Sequence, residues 1–414
     1  MTTLPRWAED LLSRHPGAAA PTADDPVPAW LLEESRRVPL WYIMREATGP
    51  RDAHPYLVYD EIQKEPEQWA DILSRYGPDI ARVTKLIADR GIRRVIFTGC
   101  GSAFFTAMHG AHLFERWTGL GAVAIESYEL SNYFPSVVPE ETMVVAHSGT
   151  GGTIETVQAL QRAKGEGVLT LALTNTDRSP VLDVADESVV YLTHQGCGPC
   201  ISVVSTRVLL QTMLARSVRT AGGSTDVGAS VSSLPAAGRA FLDTFVDSAR
   251  RFAHATADVD GFFVVGAGAN YFTAREGTLK IEEQSLMVGK AYRPGDFHHD
   301  ALSLVRPSRL VIVVAADGAA NERTVDVLRA ARAGGAPTLA VEYGRVGGLE
   351  AFADETWHLE GDLEEEVAPV LLTLPFQLLG YFMGVRRGCN PDTLATDRES
   401  NTRAWLTSFP LGTH

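Results

Sequence analysis

Val95-Ile96-Phe97-Thr98-Gly99-Cys100-Gly101 is a short apolar run that ends in Gly-x-Gly, and Val264-Val265-Gly266-Ala267-Gly268 has the same form 167 residues later. At that offset Gly101 meets Gly268, Phe105 meets Phe272, Thr106 meets Thr273, Ala107 meets Ala274 and Gly110 meets Gly277. A second block recurs at an offset of 168, where Thr156-Val157-Gln158-Ala159-Leu160 matches Thr324-Val325-Asp326-Val327-Leu328. Thr170-Leu171-Ala172 matches Thr338-Leu339-Ala340 at the same offset. Two blocks that agree at nearly one offset mean a duplicated domain.

Each copy alternates apolar strands with amphipathic helices. In the first, strands are expected over 94–98, 122–127, 142–147 and 169–174, and helices over 104–117 and 153–164. Near-continuous apolar strands separated by helices predict an α/β fold with a parallel sheet covered on both faces. Two tandem, doubly wound copies are the expected architecture, with ligands at the carboxyl ends of the strands. The predicted boundaries are 1–53 for an amino-terminal extension, 54–240 and 241–390 for the two copies, and 391–414 for a tail. The Ala- and Pro-rich part of the extension, residues 18–28, predicts no regular structure, and Trp41 and Tyr42 predict anchoring to a surface. From His54 the pattern turns helical, with Glu61, Glu65 and Glu67 expected on a polar face.

Composition excludes several classes. The chain of 414 residues carries 37 basic and 51 acidic side chains, a net charge of −14, which argues against nucleic acid and against an anionic membrane surface as partners. Four cysteines make no disulfide framework, and Glu9 and Asp10 interrupt any signal-peptide start, so a reducing cytoplasm is expected. The longest apolar stretch, 369–385, contains Gln377 and predicts a buried helix rather than a membrane span.

The two copies differ where chemistry would sit. In the first, Met143-Val144-Val145-Ala146 runs into His147-Ser148-Gly149-Thr150-Gly151-Gly152-Thr153. Glycines let backbone N–H groups approach an anion, hydroxyls add donors, and a helix amino terminus favours negative charge. The loop is a candidate phosphate cradle, though not a P-loop; the alternative is a helix capped by Thr153 after a plain turn. The second copy reads Ala315-Ala316-Asp317-Gly318-Ala319-Ala320-Asn321 there, without the hydroxyls and with a carboxylate that repels phosphate. It carries instead Glu276-Gly277-Thr278-Leu279-Lys280-Ile281-Glu282-Glu283, where Lys280 and Glu283 share a helix face, followed by Gly295-Asp296-Phe297-His298-His299-Asp300. A carboxylate, a lysine and a histidine near a phosphate cradle suit proton transfer on a sugar phosphate; a surface salt bridge and a solvated loop are the alternatives.

At these residues the sequence resembles the sugar isomerase (SIS) family, and more closely the isomerase half of glutamine–fructose-6-phosphate aminotransferases and the fructosamine-6-phosphate deglycases. The resemblance runs from about 54 to 396 on Gly99-Cys100-Gly101-Ser102, Ser148-Gly149-Thr150-Gly151-Gly152-Thr153, Val203-Val204-Ser205-Thr206-Arg207, 276–283 and 295–299. It implies two tandem SIS domains and substrate or phosphate binding by Ser102, Ser148, Gly149, Thr150, Thr153, Val203 and Ser205. It implies Glu283 as the base that moves a proton between C1 and C2, Lys280 as its helix lysine, and His299 as a ring-opening histidine supplied by the neighbouring subunit. A phosphorylated sugar or amino-sugar substrate and a homodimer with a shared active site follow, with no cofactor and no metal.

Departures from the pattern matter. No cysteine precedes Cys100, so glutamine-dependent amination is not expected. Ala103, Cys200 and Asp300-Ala301 replace a usual serine, a glutamate and a Gly-Pro, and the synthase's carboxy-terminal lysine falls near Thr396. Cys197-Gly198-Pro199-Cys200 has thioredoxin-like spacing, and with His194 and His147 it offers a zinc set, but a tight turn with two thiols at the pocket is the preferred reading. The expected function is aldose–ketose isomerisation, or the related deamination or deglycation of an amino-sugar phosphate; a non-catalytic sugar-phosphate sensor is the alternative.

Overall fold

The computed structural model describes residues 6–18, 21–22, 24–45, 49–193, 201–222 and 231–410. The apolar runs of the first copy form β1 (Arg94–Thr98), β2 (Gly121–Ala124), β3 (Thr142–Ser148), β4 (Leu169–Thr174) and β5 (Glu187–Val190), in the sheet order β2-β1-β3-β4-β5. Those of the second form β6 (Gly261–Gly266), β7 (Gly289–Tyr292), β8 (Arg309–Ala316), β9 (Thr338–Tyr343) and β10 (Glu355–Leu359), in the order β7-β6-β8-β9-β10. All pairings are parallel, and the two orders are one topology used twice. The fold is α/β with two tandem doubly wound copies, as the repeat predicts.

The repeated glycines have physical causes. Gly101 and Gly268, just past β1 and β6, sit at φ 54° and 55°, a left-handed turn that a side chain strains. Gly277 lies where a Cβ would stand 2.4 Å from the Phe376 ring, so glycine lets the helix Asn270–Ser285 press against the helix Leu374–Arg386. The apolar stretch at 369–385 forms the buried helices Ala368–Leu372 and Leu374–Arg386, apolar enough to cross a membrane by composition yet buried inside the molecule.

The structure adds to the sequence reading or departs from it at several points. The second strand ends at Ala124, because the Glu126 carboxylate accepts from Tyr128 N–H and Glu129 N–H and opens the helix Ser127–Asn132. β5 was not foreseen, because a four-residue edge strand containing Glu187 and Ser188 has no apolar run. Glu61 and Glu65 are buried rather than on a polar face: they point from the helix Leu57–Arg75 at Ser202 and Ser205 of the helix Ile201–Ala221, whose hydroxyls donate to them at 3.4 and 2.8 Å. The extension flanks its Ala/Pro stretch with the helices Arg6–Arg14, Ala29–Arg37 and Leu40–Arg45, which pack with the carboxy-terminal helix Glu399–Ser408. The expected boundary at 240/241 falls inside the helix Leu234–Ala255.

Candidate functional site

A cavity of about 630 Å³ opens at the carboxyl ends of β1 and β3, the point at which strand order reverses and where doubly wound sheets take ligands. Of the residues singled out in the sequence, Ser102, Ser148, Gly149, Thr150, Thr153, Val203, Lys280 and Glu283 line it. Ser205 does not: its hydroxyl donates to the buried Glu65 at 2.8 Å, on the other face of its helix. His299 is exposed, on the turn Phe297–Ala301, and is not among the residues lining the cavity of its own chain. His194, Cys197 and Cys200 lie outside the described residues.

The loop 148–153 is folded around its own hydroxyls. Gly151 N–H donates to Ser148 Oγ at 3.0 Å and Gly152 N–H donates to Thr150 Oγ1 at 3.2 Å. Thr153 takes the capping position of the helix Ile154–Gly165, but its side chain makes no capping hydrogen bond. The positive end of a twelve-residue helix dipole therefore faces the loop without a side-chain cap.

Arg207 is the cation at this loop, and the sequence reading missed it. It is 4% exposed, lines the cavity, and brings its Nη1 to 3.6 Å from where a Cβ on Gly149 would lie. Its Nε has no partner and no carboxylate pairs with it among the described residues. Residues 194–200, just ahead in the chain, contain no acid. A buried guanidinium without a counter-charge is costly, which makes the loop a receptive place for an anion. The available signal was its spacing: Arg207 lies one helical turn after Val203, on the face that lines the cavity. Beside it His147 is fully buried, with neither ring nitrogen bonded among the described residues. Burial, and then the Arg207 charge, pull its pKa down to about 3, so it is a neutral imidazole.

Cβ atoms added at Gly268 and Gly318 would stand 2.8 and 2.2 Å from the Glu365 carboxylate oxygens. In the second copy a protein carboxylate lies against the two glycines.

Across the cavity, Lys280 Nζ lies 2.6 Å from Glu283 Oε2 and 3.4 Å from Glu276 Oε1. Glu276 in turn accepts from Ser102 Oγ at 3.0 Å, so one chain of polar contacts runs from the first copy to the second. Burial raises the Glu283 pKa to about 7, with Lys280 opposing the rise, and the remaining fifth of its side chain is open where it lines the cavity. Such a carboxylate can both take and return a proton near neutral pH. Glu282 points elsewhere and accepts from Gly289 N–H at 2.9 Å.

The SIS domain family matches residues 90–216 and 257–381. The chain is 27% identical over 344 residues to a glutamine–fructose-6-phosphate aminotransferase (isomerizing) of Methanothermobacter thermautotrophicus, covering 83% of this chain and 56% of that one. It is 28% identical to that of Symbiobacterium thermophilum over 368 residues, covering 83% and 58%. The chain thus spans little more than half the length of these relatives. Among solved structures, the carboxy-terminal domain of glucosamine-fructose-6-phosphate aminotransferase from Francisella tularensis superposes with a TM-score of 0.74 at 19% identity, covering 83% of this chain and all of that one. A glucosamine-6-phosphate deaminase from Thermotoga maritima gives 0.66 at 22% identity, covering 81% and 96%. At these identities the structures speak for the fold.

Proposed function

The chain belongs to the SIS domain family, and on that premise we propose that it processes a phosphorylated keto- or amino sugar by moving a proton between C1 and C2. The observation that carries this reading is the pairing, within one cavity, of an anion-receptive loop with a carboxylate of raised pKa. Ser148, Thr150, Thr153 and Arg207 hold the phosphate. Glu283 then removes the proton from the carbon beside the open-chain carbonyl: the C–H electron pair forms the C=C bond of an enediolate and the carbonyl pair moves onto its oxygen, after which Glu283 returns the proton to the former carbonyl carbon while the proton of the neighbouring hydroxyl passes to that oxygen. On an amino sugar the same shift gives an enolamine and then an imine, which water hydrolyses to release the amine. Lys280 holds Glu283 in place from 2.6 Å. The relatives' names, isomerase and deaminase among them, agree with both outcomes.

The test is exchange with solvent. Fructose 6-phosphate and glucosamine 6-phosphate are incubated with the protein in deuterated water and followed by NMR. Label is expected at C1 or C2, at a rate that rises as pH climbs through about 7, where Glu283 ionises. Glu283→Gln keeps the shape and removes the basicity, so exchange falls by roughly 10²–10⁴-fold while binding survives. Binding of either compound to the wild type without exchange would instead support the sensor.

A further inference from the structure

The cavity has a wall that neither repeated domain supplies. The helices Arg6–Arg14, Ala29–Arg37, Leu40–Arg45 and Glu399–Ser408 bring both ends of the chain together around Ala8, Leu11, Leu31, Leu40, Ile43 and Leu406. This cap is tied down by Tyr42, whose hydroxyl donates to Asp392 at 3.0 Å, and by Trp41, whose N–H donates to Thr396 Oγ1 at 3.2 Å. Its contribution to the lining, with the loop that leads into it, is Trp41, Leu394, Ala395, Asn401, Trp405 and Phe409. None is charged, and Asn401 is the only one with a polar side chain apart from the indole N–H groups. Leu394 and Ala395 are held at φ 51° and 60°, a left-handed backbone that costs energy and that recurs where a site is shaped for a ligand.

Sugar hydroxyls facing this wall find one amide. The polar needs of a phosphosugar are met elsewhere, at the loop 148–153 with Arg207 and at Lys280 with Glu283. A cavity of about 630 Å³ is also of a size that holds drug-sized molecules, larger than a hexose monophosphate. We propose that the cap wall is a subsite for an uncharged, apolar substituent of aromatic size, carried on the nitrogen of an amino-sugar phosphate. This rests on the phosphosugar reading above and narrows its substrate class. A substituent bearing a carboxylate or ammonium finds no counter-charge on that wall.

Binding calorimetry on the whole chain tests it with three probes: 1-amino-1-deoxyfructose 6-phosphate, its N-benzyl derivative and its N-carboxymethyl derivative. The N-benzyl compound is expected to bind about tenfold or more tighter than either of the others, the gain that burying a phenyl group brings. In Trp405→Ala, and separately in Phe409→Ala, the ratio of N-benzyl to parent affinity should fall towards one; each variant is first shown to be folded by circular dichroism. Equal binding of all three probes overturns the subsite and leaves the phosphosugar reading intact. So does a ratio unchanged in both variants, which would mean that the aromatic wall stacks on the sugar itself. Failure of all three probes to bind overturns the phosphosugar reading and the subsite with it.

Discussion

A guanidinium buried against a glycine- and hydroxyl-rich loop is a charge waiting for its partner. Arg207 lies 4% exposed with its Nε unbonded among the described residues. Charge-assisted hydrogen bonds are worth about 1.5–3 kcal/mol each, so Arg207→Met should weaken a phosphosugar by roughly 10–100-fold and leave the dephosphorylated sugar unchanged. Arg207→Lys restores the charge but not the fork, and falls between. Calorimetry with fructose 6-phosphate and fructose reads both. Without ligand, Arg207→Met should melt no lower than the wild type, because it removes an uncompensated charge; equal loss for both sugars with a lower melting point would make Arg207 structural. The residues legible in sequence were those carried by a motif, such as Ser148 and Glu283. For Arg207 the sequence offered only its helical spacing from Val203, because its burial is produced by the sheet and loop packed over it.

At the scale of elements, the helix Leu57–Arg75 meets the helix Ile201–Ala221 through carboxyl and hydroxyl groups rather than through apolar groups alone. Glu65 is fully buried; burial raises its pKa to about 8, while hydrogen bonds from Ser205 and Gln377 resist the rise. A raised carboxyl pKa means that the folded state holds a proton the unfolded state has released. Stability from this group is therefore full below the ordinary value of 4.5 and is lost as pH rises towards 8. The loss runs at up to about 1.4 kcal/mol per pH unit within that window. Glu65→Gln keeps an acceptor and removes the titration, so its denaturation midpoint should fall less than that of the wild type between pH 5 and pH 8. Parallel slopes for the two proteins would show that Glu65 is ionised when folded. The sequence spacing of Glu61 and Glu65 put them on one helix face; which side that face looked to depended on a helix more than a hundred residues away.

At the scale of the molecule, the histidine that lines the cavity of one chain, His147, is fully buried, while His299 stands exposed on a turn of the second copy and does not line that cavity. We propose that His299 serves the cavity of a second chain in a homodimer. Mixing Glu283→Gln chains with His299→Ala chains should then restore activity in hybrid dimers, each of which holds one site with both groups intact; hybrids that form but stay inactive would overturn the shared site. The sequence by itself determined the duplication, the parallel α/β class, the loop 148–153 and the helix face of Lys280 and Glu283. Each of these is written in local periodicity, in composition, or in an offset that the chain repeats. Only the tertiary structure decided that Ser205 turns away to Glu65, that Glu276 joins Ser102 to Lys280, that Arg207 is buried at the loop 148–153, and that helices from near the two chain ends fold into one cap over the cavity. Those facts depend on which residues, distant along the chain, come to share a low-dielectric interior, and there the cost of an unpaired polar group selects the partner.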